Sequence, residues 1–213
     1  MKLVSAKFLI SDSMGGAKSF GMPQIAVVGR SNVGKSSFLN MLANNGKLAK
    51  TSSIPGRTRL INYFEITLEG EDGKRLPFVF TDLPGYGFAK ASIAEQNKWK
   101  GMIENYFDNA MDLRCVVLLL DIRHLPSVQD HIMFDYLFRK NINVTIIATK
   151  TDKLGKNQIA KSVKEIAASL KVGKDNIIVT SAETRQGKLE VLYRLWQFIQ
   201  PVEEVAQEDE ADE

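Results

Sequence analysis

The sequence contains one cysteine, no Pro/Gly-rich linker, no internal repeat and no apolar run long enough to span a membrane. Each absence excludes something. Cys115 alone cannot close an internal disulfide, and its place in the apolar run Cys115-Val116-Val117-Leu118-Leu119-Leu120 predicts a buried structural thiol rather than a reactive one. The opening residues Met1-Lys2-Leu3-Val4-Ser5-Ala6-Lys7 lack the apolar segment and processing site of a secretion signal. The expectation is therefore a soluble, cytoplasmic protein of a reducing compartment with no membrane partner. With neither linker nor repeat, 213 residues predict one α/β core and a monomer. Residues 1–22 then form an N-terminal extension, 23–200 the main domain and 201–213 a tail expected to be solvated and disordered.

Charge is present but unevenly placed. The net charge of +3 includes seven acidic residues, Glu203, Glu204, Glu208, Asp209, Glu210, Asp212 and Glu213, within the last eleven positions. The rest of the chain sets 28 basic residues against 18 acidic ones, an excess of ten. Such a body suits a polyanion, although lysine-rich surfaces also serve solubility.

The most informative segment is Gly29-Arg30-Ser31-Asn32-Val33-Gly34-Lys35-Ser36, which fits the phosphate-binding loop pattern. A buried strand over 25–28 enters it and a helix over 34–42 leaves it, the context that pattern requires. Backbone N–H groups at a helix N-terminus can hold nucleotide phosphates, with Lys35 reaching the β/γ-phosphates and the Ser36 hydroxyl ligating Mg²⁺. Farther on, strands are predicted over 60–68 and 76–81, joined through Glu69-Gly70-Glu71-Asp72-Gly73 as a hairpin. Helices at 91–107, 128–139, 158–170 and 189–199 alternate with strands at 113–121, 144–149 and 177–180. Right-handed crossovers would cover both faces of a mixed, mostly parallel sheet and gather the ligand loops at its carboxyl edge. A segment at 5–10 adds a possible edge strand without an obvious partner, and 43–58 predicts a mobile loop.

Three further segments sit where such a site needs them. Asp82-Leu83-Pro84-Gly85 follows a strand, so Asp82 can hold Mg²⁺ through water and the Gly85 N–H can face a γ-phosphate. Thr149-Lys150-Thr151-Asp152 ends another strand. The Asp152 carboxylate can accept from guanine N1–H and the exocyclic amine, and the Lys150 stem can cover the base. Thr180-Ser181-Ala182 could place a backbone N–H against guanine O6. Pro55-Gly56-Arg57-Thr58-Arg59 could reach over the γ-phosphate, with Thr58, or its rival Thr51, as a switch-dependent Mg²⁺ ligand. Asp121, Arg123 and His124 follow a buried strand and are at least as well explained as a capping carboxylate and surface groups.

In this order the motifs resemble those of a translation-factor-class GTPase. Gly29 through Ser37, Pro55-Gly56-Arg57-Thr58, Asp82-Leu83-Pro84-Gly85-Tyr86-Gly87 and Asp121-Ile122-Arg123-His124 are similar to the bacterial EngB/YsxC family across about residues 5–200. The resemblance implies a P-loop NTPase with a Ras-like G domain that binds GTP and GDP and assists assembly of the large ribosomal subunit. Its partners would be that subunit or its precursor, through ribosomal RNA and ribosomal proteins. Carried onto matching positions, it assigns phosphate contacts to Gly29, Arg30, Ser31, Asn32, Val33, Gly34, Lys35, Ser36 and Ser37. It assigns switch contacts to 55–58 and 82–85, guanine contacts to 149–152 and 180–182, and Mg²⁺ to Ser36, Thr58 and Asp82. Lys35, Thr58 and Gly85 would act in hydrolysis. Arg59 stands where the family's switch segment carries glutamine.

Tyr86 occupies the position after Gly85 where Ras has the glutamine that orients the attacking water. A phenol cannot reproduce an amide that both donates and accepts, so intrinsic hydrolysis is expected to be slow or to depend on another group. Bound K⁺, with Asn32 as ligand, is one candidate. A purely loop-stabilising Asn32 is the other. A P-loop kinase would share Gly34, Lys35 and Ser36 but needs an acceptor pocket and arginine-rich lid, whereas a silent scaffold would bind guanine nucleotides without a partner switch.

Overall fold

The computed structural model describes residues 1–13, 16–44, 60–87 and 92–201. Along them run β1 (Lys2–Asp12), β2 (Gln24–Gly29), α1 (Lys35–Ala43), β3 (Ile61–Glu69), β4 (Arg75–Asp82), α2 (Ile93–Asn109) and β5 (Leu113–Asp121). There follow α3 (Val128–Arg139), β6 (Val144–Thr149), α4 (Lys156–Leu170), β7 (Ile177–Val179) and α5 (Lys188–Ile199). The strands form one sheet in the order β1-β3-β4-β2-β5-β6-β7, antiparallel at β1/β3 and β3/β4 and parallel elsewhere.

Period-two packing explains why β2 lies inside. All six of its residues are buried; Ala26 and Val28 join one apolar cluster, Ile25 and Val27 the other. A strand apolar on both faces needs cover on both. On the first side it comes from α2, α3 and α4 through Ile103, Tyr106, Leu137, Ile166 and Leu170. On the second, α1 and α5 supply Phe38, Leu39, Leu192 and Leu195. Cys115 is fully buried between them, as its apolar surroundings predict. No helix among the described residues is long and apolar enough to cross a membrane.

Most element positions agree with the sequence reading, and the exceptions have local causes. Ser92 caps α2 through a reciprocal pair with Glu95, its N–H donating to Oε2 at 2.9 Å, so the helix begins at Ile93 rather than 91 and runs on to Asn109. The hairpin turn closes as predicted, with Gly73 at φ 78° and the Lys74 N–H donating to Asp72 Oδ1 at 3.0 Å. Strand β1 is longer than the 5–10 segment, and its partner is β3, opposite which Phe8 meets Phe64 edge-on at 5.7 Å. The predicted loop at 43–58 falls largely outside the described residues, as do switch positions 55–58, Thr51, Arg59 and the tail beyond Pro201.

Candidate nucleotide-binding site

The phosphate loop forms because β2 ends where α1 begins. Gly34 adopts φ 107°, which L side chains rarely reach, and this turns Lys35 and Ser36 into the first turn of α1. The amide of Phe38 donates to the Gly34 carbonyl at 2.8 Å, which leaves the earlier loop amides free of the helix ladder. Two are engaged elsewhere: the Val33 N–H donates to the Arg30 carbonyl at 3.1 Å and the Ser31 N–H to the Tyr86 carbonyl at 2.9 Å, while the Tyr86 N–H donates to the Gly29 carbonyl at 3.2 Å. The segment after Asp82 is thereby laid against the loop. Contact is so close that a Cβ on Gly85 would lie 2.8 Å from Lys35 Nζ and 3.2 Å from the Ser31 nitrogen, so only glycine fits without displacement.

Lys35 and Asp82 face one another electrostatically. Burial pushes the Lys35 ammonium down from its ordinary pKa, against the opposing pull of Asp82. Burial pushes the Asp82 carboxyl up, against Lys35 and a hydrogen bond from Asn62. Asp82 Oδ1 is buried without a hydrogen-bond partner, an unusual state that a hydrated cation would relieve. Asn62 is itself held by Ser11, whose hydroxyl donates to its Oδ1 at 2.6 Å. The edge strand β1 thus orients a side chain that touches Asp82, a connection no motif announces.

On the far side of the loop the guanine candidates converge. Lys150, at φ 67°, donates from Nζ to the Asn32 carbonyl at 2.7 Å and pairs with Asp121 Oδ2 at 2.9 Å. Arg123 holds the same carboxylate with Nε and Nη2 at 2.8 and 2.7 Å. Burial opposes ionisation of Asp121, but hydrogen bonds from Arg123 and Lys150 outweigh it and hold its pKa well below the usual carboxylate range. Thr149 Oγ1 donates to the Val33 carbonyl at 2.8 Å. Asp152 accepts from the buried Ser181 hydroxyl at 2.7 Å and meets Lys153 at 3.0 Å, and these two contacts lower its pKa. A cavity of about 220 Å³ opens between Gly34, Phe38, Lys150, Asp152, Thr180 and Ala182. Thr151 does not line it: the residue is buried and its hydroxyl donates to Gln186 Oε1 at 2.8 Å.

A family model described as 50S ribosome-binding GTPase matches residues 24–150. A GTP-binding protein EngB of Desulforamulus reducens is 44% identical over 201 residues, covering 93% of this chain and 95% of that protein. One from Heliobacterium modesticaldum is 42% identical over 209 residues, covering 96% and 98%. The chain belongs to the EngB family of GTP-binding proteins. It is a GTPase with a Ras-like fold. A solved structure of a GTP-binding protein engB matches this EngB-family chain with a TM-score of 0.63 at 24% identity, covering 83% of this chain and 98% of that one. Aquifex aeolicus Era bound to GDP·AlF₄⁻ matches with a TM-score of 0.68 at 22% identity, covering 88% and 60%. At these identities the structural likeness concerns the fold.

In this EngB-family chain the structure brings together the loop 29–37, Asp82 through Gly85, Thr149, Lys150, Asp152 and 180–182, leaves the Thr151 side chain out, and does not describe 55–58. Around Tyr86, which the sequence reading singled out, it adds Asp130 and Trp99, which that reading left aside. Tyr86 is buried, donates to Asp130 Oδ1 at 2.7 Å and packs edge-on against Trp99 at 5.9 Å. Burial and the Asp130 carboxylate push its phenol far above the ordinary value, so it stays a neutral donor. Trp99 Nε1 in turn donates to the Pro84 carbonyl at 3.0 Å.

Proposed function

We propose that this GTPase is a slowly hydrolysing guanine-nucleotide switch that assists assembly of the large ribosomal subunit. One observation carries the switch: the Ser31 amide, on the phosphate loop, is paired with the Tyr86 carbonyl. A γ-phosphate seeking the same amide must displace the Asp82 to Tyr86 segment, whereas a diphosphate leaves it in place, and that difference in contacts is what a switch requires. Mg²⁺ would be held by Ser36, by Thr58 and, through water, by the unpartnered oxygen of Asp82. Held there, it would supply positive charge against the charge that develops as the γ-phosphoryl group is transferred. Burial shifts Lys35 and Asp82 each toward its neutral form, and a phosphate opposite Lys35 and a metal opposite Asp82 would favour the charged forms. Asp152 would accept from the guanine edge, and the Lys150 stem, anchored on Asn32, would cover the base.

Slow turnover follows from Tyr86. Its hydroxyl is engaged by Asp130, and a phenol so held does not replace the amide that positions water in Ras. The ribosomal partner is supported by the matched family's description, by the basic body and by Era, which has been solved with MgGDPNP and a 16S ribosomal RNA fragment. Sedimentation of the protein, loaded with GDP or a non-hydrolysable GTP analogue, with large subunits, their precursors and small subunits tests it. Preferential large-subunit binding in the triphosphate state is expected. Equal binding in both states, or to both subunits, refutes the assembly role and leaves the GTPase intact.

A further inference from the structure

Helix α4 carries a lysine face that the nucleotide site does not use. At about 100° per residue, Lys161 and Lys164 of α4 and Lys171 directly after it fall within an arc of roughly 80°, with Asn157 and Ala168 exposed inside it and Ala160 at its margin. Lys156 opens the helix and Lys174 follows its end, both exposed. Among the described residues, Lys161 reaches only Glu165, at 3.8 Å, while Lys156, Lys164, Lys171 and Lys174 form no salt bridge. The other long helices are less basic: α2 sets Lys98 and Lys100 against Glu95, Glu104 and Asp108, and α3 sets Arg139 against Asp130 and Asp135, whereas α4 carries Lys156, Lys161 and Lys164 against Glu165 alone.

We infer that this face docks on the phosphate backbone of double-stranded RNA. Its chemistry selects that occupant. A protein partner needs an apolar or aromatic anchor at the centre of the contact, and here only alanines and an asparagine lie between the ammonium groups. A membrane-seated helix needs apolar residues turned to lipid, whereas Ile166, Ala167 and Leu170 are buried in the core. Lysines are point charges suited to sequence-independent phosphate contacts, and the helix spans about 22 Å, enough to follow several phosphates. The helix is not part of the Asp82 to Tyr86 segment, so this contact is independent of nucleotide state. It goes beyond the ribosomal reading, because it holds whichever RNA supplies the phosphates.

The test compares two triple variants of equal charge. Lys161→Ala, Lys164→Ala and Lys171→Ala remove the three lysines of this face; Lys7→Ala, Lys74→Ala and Lys98→Ala remove the same charge elsewhere. Unchanged GDP affinity in both confirms folding. Titration of a random-sequence RNA duplex at several salt concentrations should show the α4 triple losing roughly tenfold more affinity than the control. Its slope of log K against log salt should become shallower by about 2 to 3, near 0.9 per lost phosphate contact. Equal losses in the two triples would reduce the effect to net charge and overturn the inference. So would a larger loss on phosphatidylserine vesicles than on RNA, or a dependence on GDP against GTP analogue. Failure of large-subunit sedimentation alone would leave it standing.

Discussion

Asp152 is the residue whose substitution should report most directly on base choice. Ser181 and Lys153 hold its carboxylate in place beside the cavity, so Asp152→Asn exchanges an acceptor for a mixed group without removing the support. GDP binding should weaken by about 2 to 5 kcal/mol while xanthosine diphosphate gains, because the new amide matches xanthine's altered edge. Competitive calorimetry with GDP, ADP and XDP measures this, and equal GDP and ADP affinity in the native protein would remove guanine selectivity. Tyr86 makes the opposite kind of prediction. Since its hydroxyl binds Asp130, Tyr86→Phe should cost about 1 to 3 kcal/mol of stability by leaving a buried carboxylate oxygen short of a donor. Single-turnover hydrolysis should change only a few-fold. Unaltered urea stability combined with a hundredfold slower reaction would mean that the phenol acts on the reacting water.

At the scale of elements, Asp121 at the end of β5 joins β6 to the phosphate loop through Lys150 and Asn32. Its folded pKa lies below that of the unfolded chain, near 3.9. Its ionised form therefore stabilises the fold above that pH, and the contribution fades as pH falls through the lower folded value. Native protein should melt well above Asp121→Asn at pH 7, with the gap closing toward pH 2; a constant gap would show that the charge is not what matters. The helix caps explain which boundaries sequence could supply. Ser127 and Asp130 form a reciprocal cap at the predicted start of α3; Ser92 and Glu95 form the same pair before α2, a signal that places its start at 93 rather than the expected 91. Alternation did not name a partner for β1. Register against β3 depends on pairing across some 50 intervening residues, which no local pattern encodes. The same limit hid Ser11 and Asn62 behind Asp82.

For the molecule as a whole, the phosphate and base motifs were legible because each is short and tied to a strand end, where α/β folds collect their loops. The contacts that brace them, Trp99 to Pro84 and Thr151 to Gln186, were not, since they join residues from separate elements by shape alone. Charge is a whole-molecule property too. A chain ending at Gln200 loses seven acidic residues and none of the site residues, so GDP affinity should stay within twofold. Its affinity for duplex RNA should rise at low salt and converge with the full chain's as salt screens the field. Weaker RNA binding by the shortened chain would assign the tail a direct contact.

The strand order also sets a timetable. Strand β2 is the central strand of the finished sheet, fourth from either edge, yet it is among the first segments translated. Its neighbours β4 and β5 end at Asp82 and Asp121, so at about 5 to 20 residues per second the apolar stretch Ile25-Ala26-Val27-Val28 waits several seconds for a lateral partner. A nascent chain shorter than about 120 residues therefore holds the complete phosphate-loop sequence without the walls that shape it. Guanine nucleotide cannot rescue such a chain, because Asp152 and Ser181 are made later still, and protection of the waiting strand falls to whatever meets the polypeptide as it emerges.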